Sequence, residues 1–239
     1  MSSSSGVARD HLALALDIDD LVAALRIARP LLDYFSVAKV GLELFSASGP
    51  EAIVALSTSG FDVFVDLKLH DIPTTVGRAA RVLGALGVNY ATVHTSGGLK
   101  MVAAATAGMS EGAESAGLAP PCVLGVTVLT SDTDASSDDL TRRAKIAADG
   151  GCGGVVCAAS DLQVVTAAAP GLLRVVPGIR PSHVGHDDQA RVATPSSAVR
   201  AGADLLVIGR AVTGAADPHA AAAQLHDEVA SELTRMGAG

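Results

Sequence analysis

The sequence predicts an α/β protein folded as a single closed (β/α)8 barrel, and three observations carry that prediction. Short apolar runs of β-like composition alternate with Ala-rich helical stretches along the chain, the pattern of βαβ units on a parallel sheet. The apolar runs number eight, which suits a closed barrel better than an open doubly wound sheet. The 239 residues contain no linker and no shift in composition, a length at which such barrels form one domain.

Each element has its own signal. The opening "MSSSSGVARD" has neither a basic n-region nor an apolar h-region, so it is not a signal peptide and reads as a short disordered lead-in over 1–10. The barrel follows over 11–239. Strands are predicted at 11–17, 35–40, 62–67, 89–94, 122–128, 153–157, 173–177 and 204–208. Helical stretches fall between them, among them 19–32, 74–87, 137–149, 160–169 and 196–202. Asp, Ser and Thr stand before several of these as N-caps, and Gly follows others. Hydrophobic residues make up 49 % of the chain but aromatics only 3 %, with no Trp. The core must therefore be built from Val, Leu, Ile and Ala.

Composition also excludes classes of function. A net charge of −8 without a basic tract argues against a nucleic-acid-binding face, although a few Arg and Lys focused in one pocket could still hold a small anion. No apolar run reaches the ~18 residues of a membrane span. The three cysteines, Cys122, Cys152 and Cys157, are an odd count without an export signal, as expected of reduced thiols in the cytoplasm.

In a barrel of this kind, catalytic residues sit at the C-terminal ends of the strands, and the polar residues that interrupt the apolar runs fall there. Asp17 ends the first run, Lys39 lies late in the second, and Asp66 and Lys68 end the third, with Asp71 on the loop beyond. His94 ends the fourth run; Thr127 and Thr130 follow the fifth. Arg180 follows the seventh, and Gly209 with Arg210 the eighth. Asp66 and Lys68 are two apart, so an extended chain points both the same way. Alternating carboxylates and ammoniums favour each other's charged forms, and a Lys held so is a proton donor. The same cluster also fits a structural ion-pair network. "VVPGIRP" at 175–181 and "VIGRA" at 207–211 are placed where barrels of this kind commonly hold phosphate, with Gly209 admitting close backbone approach and Arg210 adding a fork of donors. His183, His186, Asp187 and Asp188 resemble a metal cluster, but their Gly/Pro/Ser-rich loop supplies no further ligand and reads as solvated; no metal site is expected.

"DLKLHDIPTTV" at 66–76 resembles the Asp-x-Lys-x-x-Asp-Ile-Pro-x-Thr signature of the orotidine 5′-monophosphate decarboxylase family. The resemblance extends in order through "LALD" at 14–17, "KVGLELF" at 39–45, "VHTSGG" at 93–98, "GVTVLTS" at 125–131, "VPGIRP" at 176–181, "DQARVATP" at 188–195 and "VIGRAV" at 207–212. It implies a cofactor-free, homodimeric TIM barrel that converts orotidine 5′-monophosphate to uridine 5′-monophosphate and CO₂, the last step of de novo pyrimidine nucleotide synthesis. By motif position it assigns Lys39, Asp66, Lys68 and Asp71 to a charged tetrad, with Lys68 protonating C6 of the pyrimidine and Asp71 lent to the other subunit. Asp17 and Lys39 are implied ribose ligands, and Thr75 a ribose contact across the interface. Thr130 meets the pyrimidine, Gln189 bridges base and phosphate, and Arg180, Gly209 and Arg210 take the phosphate. The loop at 179–190, rich in Gly and polar residues, is the natural lid.

Two other readings share the pattern. A Mg²⁺-dependent sugar-phosphate lyase or decarboxylase of the same superfamily also carries Asp-x-Lys-x-x-Asp, but places an acidic metal ligand near the end of the second strand, where this chain has Lys39. A barrel that binds nucleotides without turning them over is the other.

Overall fold

The computed structural model describes residues 4–129, 135–180 and 193–237. Eight parallel strands close into a barrel in sequence order: β1 (Leu12–Leu16), β2 (Val37–Val40), β3 (Asp62–Leu69), β4 (Tyr90–His94), β5 (Cys122–Val126), β6 (Gly154–Val156), β7 (Leu173–Val176) and β8 (Leu205–Ile208). All eight predicted strands are present, several of them trimmed by one or two residues. β1 closes the ring by pairing with both β2 and β8, Ala15 opposite Lys39 and Leu14 opposite Ile208.

Strand residues divide by parity, as the two-residue repeat of a strand requires. Ala13, Ala15, Val37, Phe64, Leu124, Val175, Leu205 and Val207 fill the barrel interior. Leu12, Leu14, Val63, Val65, Leu206 and Ile208 face outward into a larger apolar layer beneath the helices. Interior alternation places Lys39 one layer above Val37, and Asp66 one layer above Phe64, towards the C-terminal mouth.

The N-terminal face is built for stability. Asn89 donates from Nδ2 to Asp62 and accepts the Val63 N–H, and the Arg174 guanidinium forks onto Asp204. Stabilising pairs at this face and chemistry at the opposite one is the division of labour of such barrels.

Residues 4–10 differ from expectation. Where a disordered lead-in was predicted, Ser4–Asp10 is helical. Ala8 is fully buried, and the Arg9 carbonyl accepts hydrogen bonds from the backbone and hydroxyl of Ser36. Tertiary anchoring overrides a Ser-rich sequence with little local preference for helix. Cys122, Cys152 and Cys157 are free thiols, and burial pushes each of them up, to about 11, 12 and 12 respectively, which keeps them protonated and unreactive at neutral pH. Among the described residues no helix is long and apolar enough to cross a membrane.

Candidate active site

The C-terminal mouth holds a cleft of about 330 Å³ lined by Asp17, Lys39, Asp66, Lys68, Arg180 and Arg210 among others. An apolar recess of about 120 Å³ adjoins it, sharing Lys39, Asp66 and Lys68 and walled by Val126, Val156 and Val207. A polar cleft with an apolar annex suits a ligand with a charged end and a flat, less polar one.

Across the cleft floor the charges alternate. The Lys39 ammonium is buried and donates to Asp17 Oδ1 at 3.1 Å; it lies 3.7 Å from Asp66 Oδ2. Lys68 Nζ donates to both Asp66 oxygens, at 2.9 and 2.8 Å. Burial opposes ionisation of Asp66, but the Lys39 and Lys68 charges, with hydrogen bonds from Lys68 and Thr92, outweigh it and hold the carboxyl below its ordinary range. Asp66 is therefore an anion at neutral pH, placed between two cations.

Lys68 reaches this position by a distortion of β3. Pairing with β4 runs in register to Val65 opposite Ala91 and resumes with Leu69 opposite Val93. Residues 66, 67 and 68 thus stand against Thr92 alone. Lys68 takes a left-handed backbone, φ 51°, the only non-glycine to do so among the described residues. Such a conformation costs about 1–3 kcal/mol and survives where surrounding structure enforces it, commonly at functional sites. The expectation that simple alternation aims Asp66 and Lys68 together reaches the right outcome through the wrong geometry. The strand bulges there.

Gly41 explains the Asp17–Lys39 contact. A Cβ at this position would lie 2.6 Å from Asp17 Oδ1 and 3.0 Å from Lys39 Nζ, so a side chain here would displace the ends of the pair from this geometry. Gly178 lines the cleft with φ 76°, a conformation that favours glycine. Gly209 precedes the short helix Arg210–Thr213. A Cβ there would make only an ordinary contact with Ala15, at 3.6 Å, so packing alone does not demand glycine at that point. Arg180 is buried and Arg210 exposed, both on the cleft wall.

Asp71 and Thr75 stand apart from this cluster. Asp71 is exposed and its carboxylate accepts the Ile72 N–H at 2.6 Å; among the described residues it makes no ion pair with Lys68 of its own chain. Thr75 is also exposed, in the first turn of the helix Pro73–Ala85. Thr127, expected on the rim, is instead fully buried with its hydroxyl on the Val156 carbonyl. His94 shares a hydrogen bond with Ser96 and packs its ring 5.5 Å from that of His70. Thr130, Gln189, the histidine–aspartate group at 183–188 and all but the first two residues of the expected lid lie outside the described residues.

Sequence reasoning missed Thr92 and Gly41. An inward-facing hydroxyl in the apolar "YATVH" was a signal for the first; nothing local signalled the second.

Comparison with known proteins decides the family. The sequence pattern of the orotidine 5′-phosphate decarboxylase / HUMPS family matches residues 10–225. The chain belongs to this family. It is 46 % identical over 224 residues to the orotidine 5′-phosphate decarboxylase of Anaeromyxobacter sp. (strain K), covering 89 % of this chain and 95 % of that protein. The enzyme of the same name from Lactiplantibacillus plantarum is 43 % identical over 198 residues, 78 % of this chain and 84 % of the relative. The crystal structure of orotidine 5′-phosphate decarboxylase from Lactobacillus acidophilus superposes with a TM-score of 0.77 at 34 % identity, covering 91 % of this chain and 98 % of that one. Membership of this family accounts for the barrel.

Proposed function

We propose that this member of the family decarboxylates orotidine 5′-monophosphate to uridine 5′-monophosphate, the last step of de novo pyrimidine nucleotide synthesis, and that Lys68 supplies the proton. The observation that carries the reading is the alternating row Asp17–Lys39–Asp66–Lys68 in one cleft. Loss of CO₂ breaks the C6–carboxylate bond and leaves its electron pair on C6. A fixed ammonium stabilises that developing charge without reorganising and then transfers its proton to C6, giving the product and neutral Lys68, which regains a proton from solvent.

The remaining residues bind and orient. Asp17 and Lys39 hold the ribose hydroxyls. Arg180, Gly209 and Arg210 take the phosphate, and contacts with that remote group supply binding energy for orientation at the reacting carbon. Thr130 and Gln189 serve the base and the base–phosphate span. The exposed tip carrying Asp71 and Thr75 fits a homodimer in which each subunit completes its partner's site. Free, protonated thiols fit a cytoplasmic setting, and a net charge of −8 gives nucleic acid no broad surface to hold.

A Mg²⁺-dependent activity on sugar phosphates is the nearest alternative, since the matching family description also includes HUMPS. The β2 position that this alternative needs as an acidic ligand is Lys39, whose ammonium is already committed to Asp17. Mixing the purified protein with orotidine 5′-monophosphate, with and without a chelator, separates the two. Loss of orotate absorbance indifferent to chelation supports the proposal; no such loss, with turnover of a sugar phosphate that a chelator abolishes and Mg²⁺ restores, transfers the protein to the alternative.

A further inference from the structure

Thr92 is 1 % exposed, on the interior face of β4 between Tyr90 and His94. Its hydroxyl does two things at once. It accepts the Lys68 N–H at 2.8 Å and donates to Asp66 Oδ1 at 3.0 Å. No other residue of β4 faces the irregular part of β3, because residues 66, 67 and 68 pass opposite Thr92 alone. A regular parallel ladder would give the Lys68 N–H a backbone carbonyl. Here a side-chain oxygen accepts instead, at the one non-glycine residue with a left-handed backbone among those described.

We propose that Thr92 is a positioning residue for the reaction: its hydroxyl pins the three-against-one bulge of β3 and so fixes the Asp66 carboxylate and the Lys68 ammonium in one orientation. This rests on the decarboxylase reading for its catalytic meaning, but the geometric claim stands on the contacts themselves. Both capacities of the hydroxyl are used, so an apolar replacement of the same shape strands two partners. The Lys68 N–H loses its acceptor, which removes the bond that holds φ at 51°. Asp66 Oδ1 loses a donor, leaving its orientation to Lys39 and Lys68 alone. Among the described residues the Thr92 hydroxyl bonds to Lys68 and Asp66, on the β3 side of the cleft, so ligand binding at the Asp17, Arg180 and Arg210 side should be spared.

The test compares Thr92→Val with Thr92→Ser. Valine keeps the shape without the hydroxyl, whereas serine keeps the hydroxyl without the methyl. In Thr92→Val, kcat should fall about ten- to a hundredfold, the effect of removing a buried hydrogen-bond partner, while KM and affinity for uridine 5′-monophosphate stay unchanged. Thr92→Ser should recover most of kcat. If Thr92→Val does not fold, Thr92→Ala carries the same comparison. The Cα and Cβ chemical shifts of Lys68, which report its φ, should move towards ordinary strand values in the valine variant and stay put in the serine one. This readout needs no turnover: should the wild-type protein fail to decarboxylate, the proposed function falls while the shifts still decide the role of Thr92. A valine variant with wild-type kcat and unmoved Lys68 shifts would overturn the proposal. So would a serine variant as impaired as the valine one, because the hydroxyl would then not be what matters.

Discussion

The Lys39 ammonium meets Asp17 Oδ1 at 3.1 Å directly over Gly41. Two strands and the loop beyond one of them thus converge on a space that a single methyl group would fill. Gly41→Ala should push the pair apart, since the added Cβ would sit 2.6 Å from the Asp17 oxygen. Displaced positioning groups commonly cost catalysis about a hundredfold. Steady-state kinetics should show that loss with the fold retained by circular dichroism; an alanine variant with wild-type kcat/KM would show that the pair does not need this geometry.

Arg210 stands exposed on the cleft wall at the start of a helix. Arg210→Ala should weaken uridine 5′-monophosphate binding about ten- to a hundredfold, the worth of one charge-assisted hydrogen bond, and leave uridine binding unaltered. Calorimetric titration with both ligands measures the difference. Equal losses for nucleotide and nucleoside would remove Arg210 from the phosphate site.

His94 gives the fold a pH dependence. Burial depresses its pKa first, and His70, Arg143 and Lys68 depress it further. The unfolded chain takes up the proton near the ordinary value of about 6.5, whereas the folded chain resists until lower pH. Across that interval the unfolded state binds more protons, so stability falls as pH falls from about 6.5 through the depressed folded value. Urea denaturation of His94→Gln should show a flatter decline than wild type over this range. Parallel curves for the two proteins would mean that His94 titrates alike folded and unfolded.

Much of this was legible in the chain. Eight apolar runs gave eight strands, and the polar residues ending the first three runs converge as expected. Local pattern failed where geometry depends on a neighbour. The bulge at residues 66–68 is a property of pairing with β4, invisible in the alternation of β3 itself, so the left-handed Lys68 and its tie to Thr92 could not be read from "VDLKL". Gly41 looks like any loop glycine until Asp17 and Lys39 are placed above it. Ser4–Asp10 is a helix anchored by residues far along the chain, with Ala8 buried and Ser36 on the Arg9 carbonyl, and neither contact is visible in its own sequence. Thr127 follows a strand, yet its buried hydroxyl turns to β6 rather than the cleft.

Exposed Asp71 tests the shared site. In a two-fold dimer each subunit would lend Asp71 to its partner. Lys68→Ala and Asp71→Ala proteins, each nearly inactive, should regain activity when their subunits exchange. Random pairing makes about half the dimers mixed, each with one intact site, so recovery should reach about one quarter of wild type. If exchange is confirmed and activity stays flat, Asp71 serves its own chain or none.

The role of Lys68 is tested most directly by Lys68→Ala, in which the cation bound to Asp66 is removed while the Asp17, Arg180 and Arg210 side of the cleft is left in place. Orotidine 5′-monophosphate consumption, followed as loss of orotate absorbance, is measured beside uridine 5′-monophosphate affinity in the variant and wild type. The expected result is turnover by wild type, none detectable in the variant, and product affinity retained in both. Decarboxylation by Lys68→Ala at a rate near wild type would contradict the assignment of the proton donor.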